Sequence, residues 1–512
     1  MPLIIVVYLL SAILLAVYGL NPLVMVGLYL RHRRQAEPCP ELDEFPPVTV
    51  QLPIFNERYV VERLIDAAAR LDYPRDRLEI QILDDSTDET TAIAAARVER
   101  YRAQGLDIQL LHRTQRRGFK AGALREGLAV AKGELIAIFD ADFIPQPYFL
   151  RATVPYFLAH PRLGMVQTRW GHVNENYSRL TQAQALGIDG HFAVEQVARN
   201  RAGLLMNFNG TAGVWRRACI EEAGGWQDDT LAEDLDLSYR AQLAGWRFLF
   251  LPQVVSPAEL PPQIHAFKVQ QFRWAKGSIQ CARKLWRHLL SSSFSPFVKA
   301  QGLLHLTNYL IHPLMLILLL TAIPLIPVRS PYLGYLAYLS IATVSPPTMY
   351  IVSQWALYPD WRRRVARLPW LVFLGTGVAL NSTLAIYEAL AGRESPFRRT
   401  PKFHIEGLGD RWADKPYALP FSPLALGEFA LAAYALAGVA IALHVGNYFV
   451  IPYLLLYALG FGYVSLLTVL HSRPQGRSPW IRLWRAAPLL LARAAMLGLG
   501  LLYMWRDIDP GR

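Results

Sequence analysis

Apolar residues crowd two stretches of this chain, residues 3–30 and the region beyond residue 302. In both, windows of about 20 residues pass with almost no charge, the length a helix needs to cross a bilayer. Between them, residues 37–300 carry most of the acidic groups and read as a globular domain. From residue 48 onward, short β-rich runs alternate with helical stretches. Strands are expected at 48–52, 78–83, 108–111 and 135–139, and helices from about Glu57, after Asp84-Asp85 and from Lys120. Ser86 or Thr87 caps the second of these helices, with Asp88 and Glu89 in its first turn. Such alternation predicts an α/β domain, a parallel sheet with helices on its faces. In sheets of this kind ligands sit outside the carboxyl ends of the strands.

Composition agrees with a membrane-attached chain, since 53% of residues are hydrophobic and only 18% are charged. Apolar segments after the globular region run at 303–327, 332–356, 369–391, 422–444, 449–471 and 482–505. If all six spanned, the basic loop 392–421 would face outward, against the charge rule for cytoplasmic loops. Asn381, Ser382, Thr383 and Glu388 make 369–391 the least apolar, so the expectation is that it lies in the interface plane. The last segment carries Arg493 near its middle, which is costly in lipid. The first apolar run has no basic start and is followed by Arg31-His32-Arg33-Arg34, as a retained helix would be, not a cleaved leader. The resulting layout is an amino-terminal transmembrane helix (1–36), a cytoplasmic domain (37–265) and interfacial helices (266–300). Two transmembrane helices (301–358), an interfacial helix with a cytoplasmic loop (359–421) and carboxyl-terminal transmembrane helices (422–512) follow.

The net charge of +12 does not indicate nucleic-acid binding, because the basic residues flank apolar segments. Arg362 to Arg364 and Arg398, Arg399 and Lys402 are typical, and this placement marks cytoplasmic loops and contact with membrane lipid headgroups. Cys39, Cys219 and Cys281 have no metal-ligand spacing and fit a reduced compartment.

Four polar features interrupt the pattern. Asp84-Asp85 ends one strand, and Asp140-Ala141-Asp142 ends another. Alternate residues in an extended stretch point the same way, so Asp140 and Asp142 can address one hard divalent cation, Mn²⁺ or Mg²⁺, shared with a substrate diphosphate. Glu233-Asp234 opens a helix, where its charge also suits the dipole. Gln270, Arg273 and Trp274 share one helix face; arginine suits a diphosphate, and an indole can pack on a sugar.

In this order the four features resemble the processive family 2 glycosyltransferases, the cellulose, hyaluronan, chitin and mannan synthase-like enzymes. The segment Phe208-Asn209-Gly210-Thr211-Ala212-Gly213 is similar to the plant cellulose synthase-like A and C group. The resemblance covers roughly residues 45–405. It implies a GT-A catalytic fold, a Rossmann-like mixed sheet with helices on both faces, joined to an α-helical transmembrane bundle. It further implies that Asp84 and Asp85 hold the nucleoside, and that Asp140 and Asp142 bind the metal and diphosphate. Lys120 would add a diphosphate contact, Glu233 would accompany the general base Asp234, and Gln270, Arg273 and Trp274 would serve the leaving group and acceptor sugar. Phe208, Asn209, Gly210 and Thr211 would line the acceptor pocket, and the stretch from Arg398 to Phe403 resembles a mobile element that closes over the nucleotide. The implied activity is inverting hexosyl transfer from a nucleotide-sugar, UDP-glucose or GDP-mannose, onto a polysaccharide or oligosaccharide acceptor, with a β-linkage and passage through the chain's own channel. Single transfer to a lipid acceptor, or a transporter with a degenerate transferase domain, are the competing readings.

Overall fold

A computed structural model describes residues 2–472 apart from residues 36, 39, 42–43, 329–335 and 394–397. Cys39, the segment 482–505 with its Arg493, and the start of the segment 332–356 therefore lie outside the described residues. Seven strands, β1 (Val48–Ile54), β2 (Leu78–Asp84), β3 (Asp107–His112), β4 (Leu135–Ile138), β5 (Leu163–His172), β6 (Gly213–Arg216) and β7 (Arg247–Ala258), form one mixed sheet. Their order is β3-β2-β1-β4-β6-β5-β7. The first four pair in parallel, as the alternating pattern requires, and β5 pairs in parallel with β7. Every side chain of β2 and all but one of β1 are buried, as happens when helices cover both faces of parallel strands. Polar side chains inside these strands satisfy one another. Thr49 Oγ1 donates to Glu79 Oε2 at 2.6 Å, Gln109 Nε2 donates to Glu79 Oε1 at 2.8 Å, and Gln51 Nε2 donates to Gln81 Oε1 at 3.1 Å.

Strand β6 runs antiparallel to both neighbours, with Gly213 opposite Ile138. Its reversal brings the incoming chain, residues 208–212, to the carboxyl end of β4, beside Asp140. The sheet has two cores. On one side Val50, Leu52, Ile80 and Ile82 pack with the helices Val61–Ala69 and Thr90–Arg102. On the other, Ile136 and Ile138 of β4 meet Trp215, Trp226 and the helix Phe119–Val130. Met25, Val26 and Tyr29 of the amino-terminal helix Pro2–His32 belong to that same second core.

Two helices begin later than the sequence suggests, at Val61 instead of Glu57 and at Thr90 instead of just after Ser86 or Thr87. Asn56 is the reason. It adopts a left-handed backbone (φ 54°), its N–H donates to Ser86 Oγ, and its Oδ1 accepts from Thr87 N, both at 2.8 Å. The two residues expected to cap a helix instead lock the loops after β1 and β2 together.

Among the described residues, five helices are long and apolar enough to cross a membrane: Pro2–His32, Asn308–Leu325, Trp361–Leu390, Leu424–His444 and Tyr448–Leu470. Trp361–Leu390 includes most of the segment that the loop charges lay in the interface plane, and half of its apolar window is buried within the protein. The helix Ile264–Ser291 links the two parts of the molecule. Lys268 Nζ lies 2.6 Å from Glu428, and Lys276 Nζ lies 2.9 Å from Glu388. Gly277 of this helix lets it press onto Leu231-Ala232, directly before Glu233, since a Cβ there would lie 2.6 Å from Ala232 Cβ. Replacing Gly277 with Ala forces these elements apart, and overpacking of this kind costs about 1–3 kcal/mol. A lowered thermal unfolding midpoint is the expected result, and an unchanged midpoint would mean the approach is looser than described.

Candidate active site

The carboxyl ends of β1, β2 and β4 open onto one polar cavity. Phe55, Glu57, Asp85, Arg116, Lys120, Asp140, Asp142, Arg273, Arg399, Thr400 and Lys402 contribute to its lining. Residues far apart in sequence thus converge where a parallel sheet presents its ligands. Asp85 is gripped by Arg113, whose Nε and Nη2 each lie 2.7 Å from one carboxylate oxygen. Asp84 is turned inward and fully buried. Its carboxylate accepts from Ser86 N at 2.9 Å and Thr91 Oγ1 at 2.6 Å, so it shapes the loop and does not line the cavity.

Asp140 and Asp142 stand on the turn after β4, since the strand ends at Ile138 and not at residue 139. Thr211 Oγ1 accepts from Asp140 N at 2.9 Å, which ties this turn to the chain entering β6. Lys120 Nζ lies 2.6 Å from Asp140 Oδ1 and donates to the Gly210 carbonyl at 2.8 Å. Burial opposes charge on Lys120, but Asp140, Glu233 and Asp234 outweigh it and raise its pKa. Asp142 pairs through Oδ2 with Lys402, while its Oδ1 is buried without a hydrogen-bond partner among the described residues. That orphaned oxygen and the neighbouring Asp140 fit a hard cation that takes its remaining ligands from water and a diphosphate. Among the described residues no group of three or more His, Cys, Asp or Glu side chains is placed to hold a metal ion by itself.

Glu233 and Asp234 begin the helix Glu233–Leu243. Asp234 Oδ2 packs against Gly210, where a Cβ would approach to 2.8 Å and where φ is +82°, so only glycine fits. Desolvation and the adjacent Glu233 carboxylate raise the Asp234 pKa to about 7, against the pull of Lys120. Phe208 and Thr211 are buried and form the scaffold of this loop, whereas Asn209 is half-buried beside it. On the helix Ile264–Ser291, Gln270, Arg273 and Trp274 are partly exposed, and Arg273 Nη2 donates to Thr400 Oγ1 at 3.1 Å. Burial lowers the Arg273 pKa, although Glu233, Asp140, Asp234 and Asp142 hold it up.

Sequence reasoning missed three lining residues, Phe55, Glu57 and Arg116. Glu57 lies in the loop after β1, 2.9 Å from Arg399. Arg116 stacks over Phe55 at 3.5 Å from the ring centre. All three occupy loops at strand ends, the one signal that marks them. The stretch after residue 397 covers part of the cavity with Arg399, Thr400 and Lys402. Arg399 and Lys402 reach the acidic groups, and Phe403, fully buried, donates its N–H to Glu259 Oε1 at 2.9 Å.

Comparison with known proteins agrees with this geometry. Residues 46–277 match the family described as "Glycosyltransferase like family 2". Glucomannan 4-beta-mannosyltransferase 2 of Arabidopsis thaliana is 38% identical over 62% of this chain and 62% of its own length. The probable glucomannan 4-beta-mannosyltransferase 11 of the same plant is 37% identical over 62% of this chain and 75% of its own. Against the first of these relatives the chain spans about three-fifths of the length. Among solved structures, the mannosyltransferase PcManGT from Pyrobaculum calidifontis, in complex with GDP-Man and Mn²⁺, superposes with a TM-score of 0.51 at 24% identity. It covers 75% of this chain and 99% of its own, a likeness of fold. Sheet order, the acidic strand ends and the sequence matches together make this chain a member of glycosyltransferase family 2, with the GT-A fold.

Proposed function

We propose that this chain is an inverting β-1,4-mannosyltransferase of the membrane, extending a mannan-type glycan from GDP-mannose on the cytoplasmic face. The names of its relatives support the mannosyl group and the linkage. The observation that carries the reaction class is Asp234, held against Gly210, whose carbonyl accepts from the Lys120 that pairs with Asp140 in the cavity lining.

Direct displacement needs a base on the acceptor hydroxyl and positive charge on the departing diphosphate. Asp234 takes the hydroxyl proton as the acceptor oxygen bonds to the anomeric carbon. The bond from that carbon to the diphosphate oxygen breaks, and the nucleoside diphosphate leaves with the electron pair. Lys120 and Arg273 face the leaving group, while Asp85, gripped by Arg113, sits at the nucleoside end. Asp140 and Asp142 would hold the divalent cation, which supplies charge neutralisation to the diphosphate when bound. Gln270, about one turn before Arg273, and Trp274, the residue after it, offer a polar group and an indole to the acceptor sugar. Apolar helices joined firmly to the catalytic domain support delivery of the product into or across the membrane.

Purified protein given GDP-mannose, Mn²⁺ and β-1,4-mannohexaose should release GDP and yield a longer product that β-mannanase digests. UDP-glucose as the preferred donor, or a product of fixed lipid size, would overturn the mannan reading. Asp234→Asn should lower transfer by at least about a thousandfold while leaving the donor dissociation constant unchanged, because only the proton acceptor is lost. Retained turnover would remove Asp234 as the base. Since the base acts deprotonated and its pKa is raised to about 7, kcat/KM should fall as pH drops through that value. A profile that stays flat well into the acid range would exclude it. Chelation with EDTA should stop GDP release, and added Mn²⁺ should restore it.

A further inference from the structure

The helix Arg179–Gly190 does not pass smoothly into the helix Gln196–Arg201. Between them His191–Glu195 forms a π-helical turn. Such a turn is rare, occurs mostly as a single bulge inside an α-helix, and is frequent at functional sites. Here His191 and Gln196 meet the loop that enters β6, Glu195 backs His191, and the contacts assign the protons between them.

Gln196 supplies the starting point. Its Nε2 donates to the Asn207 backbone carbonyl at 2.9 Å, and a carbonyl only accepts, so this atom is nitrogen. The same Nε2 lies 2.8 Å from the Asn209 side chain, which therefore turns its oxygen, Oδ1, toward Gln196. Asn209 Nδ2 then faces His191 Nε2 at 3.0 Å, and that ring nitrogen must accept. The ring proton is left on Nδ1, 3.0 Å from Glu195 Oε2. Arg199 Nε donates to the other Glu195 oxygen at 2.9 Å. Burial opposes charge on Glu195, but Arg199 and His191 outweigh it and hold its carboxyl well below the usual range.

Asn209 is thus held at both ends of its amide, and its backbone N–H is held as well, donating to Gln167 Oε1 at 2.9 Å. One proton of Nδ2 is spent on His191, and among the described residues no second acceptor meets that nitrogen. The next residue is Gly210, against which Asp234 packs. We infer that His191 is a positioning residue for the sugar acceptor: it orients the Asn209 amide so that its remaining N–H is presented to a hydroxyl of the incoming glycan beside Asp234. This rests on the reading of residues 208–213 as the acceptor side of the proposed transferase. Asn209 touches the acceptor; His191 acts through it, and Glu195 fixes the His191 tautomer.

The test uses the full-length protein with GDP-mannose, Mn²⁺ and β-1,4-mannohexaose, comparing the acceptor KM with the donor dissociation constant. His191→Ala should raise the acceptor KM by about tenfold with the donor constant unchanged. His191→Gln keeps an oxygen near the position of Nε2, so it should recover most of that loss. The double variant His191→Ala with Asn209→Ala should be no worse than Asn209→Ala alone, since the two side chains act as one unit. An unchanged acceptor KM in His191→Ala overturns the inference. So do additive losses in the double variant, or a loss in His191→Gln as large as in His191→Ala. A wild-type protein that transfers to no glycan overturns the acceptor reading itself, and the inference with it; a working transferase indifferent to His191 overturns the inference alone.

Discussion

Like charges crowded at one sheet edge are the constraint on which this molecule is built. Asp85, Asp140, Asp142, Glu233 and Asp234 converge from three separate stretches of chain, and carboxylates gathered this way out of water repel one another. The structure offsets them with cations drawn from further elements: Arg113 on Asp85, Lys120 on Asp140 and Lys402 on Asp142. Each pairing fixes the approach of one element to another. Lys120 sets the distance of its helix from the loop before β6, and Lys402 draws the stretch after residue 397 across the cavity. Burial and the neighbouring Glu233 carboxylate raise the proton affinity of Asp234 into the range useful to a base, and burial does the same for Glu57 in spite of its Arg399 partner.

Around this charge balance, the loops are fixed by neutral polar contacts. Asn56 joins the ends of β1 and β2, Thr211 joins the turn after β4 to the chain entering β6, and Gln167 cradles the β6 loop. Such bonds carry no net charge and so do not disturb the electrostatics of the cavity. They also hold the backbone before any ligand arrives, which is the form of preorganisation that favours a charged transition state.

Much of this was legible in the sequence. The alternating strands and helices gave the sheet, and acidic residues at strand ends gave the edge that matters, because both follow from local pattern. The late helix starts escaped, since Ser86 and Thr87 have the composition of caps and only the distant Asn56 reassigns them. The reversal of β6 escaped for a related reason: a four-residue strand carries no sign of its direction. Glu57 and Arg399 were invisible as a pair, because 342 positions separate them and Glu57 lies in no recognisable pattern. The π-turn at His191 has no signature in composition at all. Asp84 shows the opposite error. It sits beside Asp85 in a suggestive doublet, but it is the last residue of β2 and its carboxylate is occupied by Ser86, Thr91 and His112, whereas Asp85 lies beyond the strand in the loop that lines the cavity.

The amino-terminal helix contributes Met25, Val26 and Tyr29 to the core that supports β4. Translation delivers this helix well before β4, β6 and the rest of that core emerge. The globular part therefore closes its interior around a segment made long before it. A chain that misplaces this long apolar helix lacks part of the very core that holds its acidic loop in register.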